Sequence, residues 1–210
     1  MDLLMRPSAK LKLVGGRLCL DFVNTVGGRS GSDITEDKLV DYSDLVAWAV
    51  HAGLVSPGEG DRLFVESERD PDIASQVFAR ALALREAVYQ IARCAIRSIP
   101  PRPPDLERLN SELTEAFSGI RLEPGEKHYQ WNWPEVGKTL DRLLWPIADS
   151  AAELLTHEDL TRLKECGGQN CGWLFLDTSK NGRRQWCDMR DCGNLAKVRK
   201  FREKQRGKKR

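Results

Sequence analysis

Between residues 70 and 97 apolar side chains recur at spacings of three and four: Ala74, Val77, Ala81, Leu84, Val88, Ile91 and Ala95. That period marks one face of an α-helix. Asp70-Pro71 supplies a start, with Asp as cap and Pro in the first turn. The pattern predicts one helix of about 28 residues, its seam rich in Ala, as in the central helix of a bundle rather than a coiled coil. Shorter helical patterns surround it. Ser43 is placed to cap a helix carrying Leu45, Val46, Trp48 and Ala49, with Gly53 as its stop. A short helix is predicted after Pro57. The proline run at 100–104 ends the long helix, and Asp105 is placed to cap the next, which carries Leu106, Leu109, Leu113 and Phe117. From Pro134 onward, Val136, Leu140, Leu143, Leu144, Ile147, Ala151, Leu154 and Leu155 share one face, with a kink predicted at Pro146. A last helical turn over 157–164 leads to Cys166.

Strand patterns are sparse. Residues 120–123 and 128–133, joined across Pro124-Gly125, predict a hairpin in which Trp131 and Trp133 alternate with polar residues. Trp48, Trp131 and Trp133 read as core residues. Residues 15–25 (GGRLCLDFVNT) are a turn followed by an apolar run that fits a buried strand or a helix start, and 27–31 reads as a loop. Asp21 and Asn24 are polar positions inside that run. They are candidates for lining a small ligand pocket, although residues so placed more often cap a helix or satisfy buried backbone groups.

The chemistry is concentrated at the C-terminal end. Cys166, Cys171, Cys187 and Cys192 form two C-x4-C pairs with fifteen residues between them. Paired thiolates at both ends of a short loop are what a tetrahedral structural zinc requires, and this spacing favours zinc over a redox or iron–sulfur role. Gly167, Gly168 and Gly172 let the backbone turn its N–H groups toward sulfur. Residues 173–177 read as a strand, 178–182 as a turn ending in Asn-Gly, and 183–186 as the return strand. Cys192 then stands at a helix start, where the helix dipole favours a thiolate. Knuckle, hairpin and helix in that order resemble a treble-clef zinc finger. Cys19 and Cys94 stand apart and read as buried thiols.

Charge sharpens this division. The formal net charge of +2 conceals +10 over residues 161–210 and −8 over residues 1–160. On a helix beginning near 194, Lys197, Lys200, Lys204 and Lys208 form one row and Arg199, Arg202 and Arg206 another. Val198 and Phe201 are expected to pack on the knuckle and hairpin. Both basic rows, with Arg183 and Arg184 near the hairpin tip, are candidate contacts to nucleic-acid phosphates. No apolar stretch has membrane-spanning length, the N-terminus lacks a secretory pattern, and a cytoplasmic location is expected. His51, His128 and His157 are scattered, and no phosphate loop or nucleophile elbow occurs. A four-thiolate site leaves no position for a catalytic water, so no enzyme activity is expected.

The string C-x4-C-x2-LFLDTS-x-NGRR-x-WC-x4-CGN closely resembles the CGNR zinc finger of bacterial proteins. Those proteins carry it behind an ABATE-type domain and are described as stress-induced transcription regulators. The run GGRLCLDFVNT resembles that domain's opening motif, so the resemblance spans nearly the whole chain. It implies that Cys166, Cys171, Cys187 and Cys192 bind one zinc ion and that the finger binds DNA. One position departs: the motif's final Arg is Leu195 here, at the head of the arginine row. The expected architecture is α+β and mostly α. A helical ABATE-like domain with a small β element (1–160) precedes a treble-clef-like finger with a basic helix (161–210). The expected function is a zinc-stabilised DNA-binding regulator whose N-terminal domain senses a small molecule or forms a homodimer. An RNA-binding accessory protein and a zinc-stabilised protein-interaction module are the alternatives.

Overall fold

A computed structural model describes residues 3–30, 36–132 and 139–207. Gly31, Trp133, Pro134, Val136 and Lys208 lie outside the described residues. The long helix α4 spans Pro71–Ile96, and the Asp70 carboxylate accepts the Ile73 N–H at 3.2 Å. Ala74, Val77, Ala81, Leu84, Val88 and Ile91 are buried along its seam, and Ala95 is half-buried. Helices α1 (Leu18–Val23), α2 (Tyr42–His51), α3 (Pro57–Arg69), α5 (Pro103–Gly119) and α6 (Leu144–His157) complete the bundle. α4 packs against α5, α5 against α6, α1 against both α4 and α6, and α2 against α3. The apolar run within residues 15–25 therefore resolves as a helix over Leu18–Val23. Cys19, Leu20, Phe22 and Val23 are all buried because α1 is enclosed by its neighbours, with the Phe22 ring 5.1 Å from that of Trp48.

Several local expectations shift. Asp41, rather than Ser43, caps α2: its carboxylate accepts the Asp44 N–H at 2.8 Å. Gly53, at φ +73°, follows that helix as its stop. α3 runs for 13 residues and opens on a reciprocal cap between Ser56 and Glu59. α5 begins at Pro103, so Asp105 lies inside its first turn, held by Arg102 at 2.9 and 3.1 Å. Its buried face is Leu109, Glu112 and Ala116, while Leu106 and Phe117 are exposed. Glu112 is buried because the Arg80 guanidinium forks onto it at 2.8 and 3.2 Å, and a paired carboxylate tolerates burial. Leu109 and half-buried Leu113 of the leucine stripe share this face with the ion pair. Leu140–Leu143 form a 3₁₀ turn, and Pro146 falls in the first turn of α6. Its missing N–H costs nothing there, so the proline marks a helix start rather than a kink.

Three two-stranded antiparallel sheets accompany the helices among the described residues. β1 (Val26–Gly27) pairs with β2 (Glu36–Asp37), and β3 (Arg121–Pro124) pairs with β4 (Tyr129–Asn132), Leu122 lying opposite Trp131. Trp48 is fully buried, but Trp131 is exposed on its hairpin and does not belong to the core. β5 (Leu163–Glu165) pairs with β6 (Leu174–Leu176). Leu163, Leu174 and Leu176 are buried in the same apolar core as α1 and α4. The 160/161 boundary therefore divides the chain but not the core.

Candidate metal centre and nucleic-acid interface

The β5–β6 hairpin carries Cys166 and Cys171 at its tip. Cys166 follows β5 directly, and its N–H donates to the Trp173 carbonyl at 2.8 Å, closing the knuckle. After β6 the chain turns and returns to Cys187. A π turn over Met189–Gly193 then delivers Cys192 to the start of α7 (Asn194–Gly207). The ligand atoms of Cys166, Cys171, Cys187 and Cys192 lie within 4.8 Å of one another. The sulfurs of Cys171 and Cys187 are 3.7 Å apart, as are those of Cys187 and Cys192. A tetrahedron with zinc–sulfur bonds of about 2.3 Å has edges of about 3.8 Å, so the cluster has the dimensions of a zinc site. It is too wide for disulfides, whose sulfurs sit about 2 Å apart.

The surroundings fit the same group. The backbone N–H groups of Cys187 and Gly168 donate to the Cys166 sulfur at 3.2 and 3.4 Å. A Cβ at Gly168 would come within 2.9 Å of the Cys192 sulfur, so the knuckle needs glycine there. Hydrogen bonds from the Cys171 and Cys187 thiols and those two amides lower the Cys166 thiol. The same crowding pushes Cys171 and Cys187 up, and burial with the Cys166 charge pushes up Cys192. Four thiols packed this closely suit a divalent cation, which deprotonates all four and offsets their mutual repulsion. Cys19, by contrast, is fully buried, its thiol pushed up to about 12 by burial and unsuited to chemistry.

Residues 183–186 do not form the return strand. The outer edge of β6 is already taken: Leu176 N–H donates to the Gly15 carbonyl at 2.8 Å, and the Asn24 side-chain amide bonds both Leu174 N–H and Leu174 carbonyl at 2.8 Å. β6 pairs with β5 instead, and side chains carry the returning segment. The buried Asp177 carboxylate accepts from Lys164 at 2.7 Å, the Ser179 hydroxyl at 2.6 Å and the Arg184 N–H at 2.8 Å. Lys164 also donates to the Gly182 carbonyl at 2.5 Å.

Asn24 thus mimics a strand edge, and Asp21 accepts the Gly15 N–H at 2.8 Å. Both hold backbone groups of the finger and its approach. Arg184 is also committed. Its guanidinium lies 4.3 Å over the Phe175 ring and donates to the carbonyls of Trp186 (3.0 Å), Val14 (3.1 Å) and Cys187. These bonds hold it, half-buried, at the metal corner. Arg183, Lys197, Lys200, Arg202, Lys204 and Arg206 are exposed. Arg199 is exposed but tied to Gln169 at 2.6 Å and Glu203 at 3.1 Å. Val198 and Phe201 do not pack on the knuckle: they are 47% and 63% exposed, and half-buried Ala196 faces inward instead.

The docking residues include some that no sequence motif marks. Arg29 is almost fully buried, forks onto Glu86 at 2.7 and 2.8 Å and stacks 4.1 Å over Tyr89. Its N–H donates to the Cys171 carbonyl at 3.1 Å. Gly172, at φ +70°, lets the knuckle come this close, since a Cβ there would meet the Ser30 nitrogen at 2.7 Å. Trp173 donates to the Val26 carbonyl at 2.9 Å, and Lys12 bridges Asp188 (2.6 Å) and Asp191 (2.5 Å) beside the second cysteine pair.

A helical bundle that grips a four-cysteine finger through its own core defines a zinc-finger protein with a helical partner domain. The ABATE family model, described as "Putative stress-induced transcription regulator", matches residues 16–158, and the CGNR zinc finger model matches residues 162–205. The chain belongs to the ABATE family and carries a CGNR zinc finger with one structural zinc site. No curated protein matches it. No helix among the described residues is long and apolar enough to cross a membrane.

Proposed function

We propose that this protein is a DNA-binding transcription regulator in which zinc fixes the finger and α7 contacts the duplex. One observation carries the reading. Lys197, Lys200, Arg202, Lys204 and Arg206 are all exposed on α7, and none pairs with a carboxylate among the described residues. Exposed, uncommitted cations along one helix are the means by which proteins neutralise phosphates and release counterions. The family description points the same way. The zinc is structural, because four thiolates close its coordination sphere and leave no place for a substrate. The helical bundle serves as the platform to which the finger is bolted.

The test is a salt titration of binding to random-sequence duplex DNA, with structured RNA as competitor. The intact protein is expected to lose affinity linearly with log salt, with a slope of about −0.9 per phosphate neutralised. Reversing Lys200 and Arg202 to Glu should weaken binding at least about tenfold on every sequence and leave thermal stability unchanged. Binding without salt dependence, or insensitive to the reversal, would refute the reading. Preferential capture by RNA would replace DNA with RNA as the partner.

A further inference from the structure

The outward side of α7 is not uniformly basic. Leu195, Val198 and Phe201 are 70%, 47% and 63% exposed, and their spacing of three puts them on one face. Helices of soluble proteins ordinarily turn such a row inward. Here the inward side is taken by Ala196 and by Arg199 with its bond to Gln169 of the knuckle. At about 100° per residue, Lys197 and Lys204 lie on one flank of the apolar row and Arg206 on the other, while Arg202 falls between Val198 and Leu195. The helix thus presents an apolar strip, interrupted by Gln205 and Arg202, between a lysine edge and Arg206.

A duplex major groove has the complementary profile. Its walls are phosphate strands, and its floor is base edges whose one apolar group is the C5-methyl of thymine. The groove is about 12 Å wide, and a helix with its side chains is about 10–12 Å across. Resting on the DNA-binding reading above, we propose that α7 lies in the major groove with Val198 and Phe201 against thymine methyl groups. The lysine flank meets one phosphate strand and Arg206 the other. The finger therefore prefers thymine-bearing duplexes. Leu195 lengthens the apolar strip by one member, so its presence in place of Arg moves that position from polar to methyl recognition. An anionic membrane also attracts basic amphipathic helices. Three apolar side chains followed by Gln205 on the same face make too narrow a strip for insertion into lipid.

The experiment uses the zinc-loaded full chain with two duplex probes, one of alternating dA and dT and one of alternating dA and dU. They pair identically and differ only in the methyl group. The thymine duplex should bind tighter by about fourfold per contacted methyl, which corresponds to ~0.8 kcal/mol for a CH₂-sized group. The double variant Val198→Ala/Phe201→Ala alters only exposed side chains. It should lose that preference while keeping its salt dependence. Equal affinity of the intact protein for both duplexes overturns the groove assignment and leaves DNA binding standing. So does a preference that survives the double variant. Absence of salt-dependent binding to either duplex removes the DNA reading itself. Binding to phosphatidylserine vesicles that depends on Phe201 and exceeds binding to both duplexes overturns the assignment in favour of a lipid surface.

Discussion

The two halves of the cysteine module use positive charge in opposite ways. In the half that precedes Cys187, Arg162 donates to the Asp177 and Ser179 carbonyls, Lys164 neutralises buried Asp177, and Arg184 ties Trp186 and Cys187 to Val14. These cations are internal fasteners. In the half that follows Cys192, the cations of α7 other than Arg199 point outward, and even the apolar residues between them are exposed. One half is built into the bundle, and the other is offered to a partner. The net charge of the segment therefore overstates the interface, and only a residue-by-residue account separates fasteners from contacts.

The largest expected effect comes from severing the hinge between the halves. Cys187→Ser removes a ligand from the zinc, whose apparent binding energy in finger peptides is about 10–16 kcal/mol. Metal analysis should fall from about one zinc per chain to none. Hydrogen exchange should show lost protection through α7, while β5 and β6 stay protected by Gly15, Asn24 and the common core. Zinc retained at full stoichiometry would break the four-ligand assignment, and equal loss of protection in both halves would break the contrast. Next in size is the neighbouring pair Arg183 and Arg184. Arg184→Ala loses three charge-assisted hydrogen bonds and a ring contact, and should cost about 2–4 kcal/mol in denaturant unfolding. Arg183→Ala should stay within about 0.5 kcal/mol and show its effect in DNA binding instead. The reverse pattern would show that fastener and contact had been exchanged.

Asn24→Ala strips the partner from both polar groups of buried Leu174 and should cost about 2–3 kcal/mol. The zinc content should remain about one, since no ligand is touched. Loss of zinc in this variant would show that the corner depends on its docking. The smallest effect is acid sensitivity in the bundle. The Ser56 hydroxyl and N–H, with the Arg142 guanidinium, hold the Glu59 carboxyl down to about 2. Its folded value lies below the usual value of about 4.3, so its contribution is complete above that pH. It disappears as the pH falls toward 2. Glu59 is close to solvent, so the change should be under about 1 kcal/mol. Glu59→Gln should flatten that part of the pH–stability profile, and an unchanged profile would remove Glu59 from the account. In the finger, burial alone would raise Asp177. Lys164, Ser179 and the Arg184 N–H outweigh it and hold the carboxyl below its usual range. Acid therefore weakens the docked half through Asp177 and the metal corner through its thiolates.

Much of this was legible in local patterns. A stripe from Ala74 to Ile91 and an Asp-Pro start are properties of a few consecutive turns, and α4 appears where they put it. Cysteine spacing likewise encodes a loop that brings four sulfurs together, and they lie within 4.8 Å. The errors arose where a second segment decides the outcome. Residues 183–186 have the look of a strand, but the β6 edge they would need belongs to Gly15 and Asn24, some 150 residues earlier in the chain. The ends of the α5 stripe, Leu106 and Phe117, are exposed, and the buried face includes Glu112, which is paired with Arg80 of α4. Val198 and Phe201 carry the ordinary signal of an inward face, yet the knuckle contact is made by Arg199 through Gln169.

By itself, then, the sequence determined the helices with sustained period, the four ligands and their metal, and the segregation of positive charge to one end. Each depends on residue types at short spacings, which backbone geometry converts directly into structure. Only the tertiary structure decided which polar residues are structural and which are available. Asn24, Arg29 and Arg184 are spent on backbone and aromatic partners supplied by other elements, and α7 keeps its cations and its apolar row exposed. A buried donor or charge must find a partner wherever the fold provides one, and that partner's identity is set by packing rather than by neighbours in the chain.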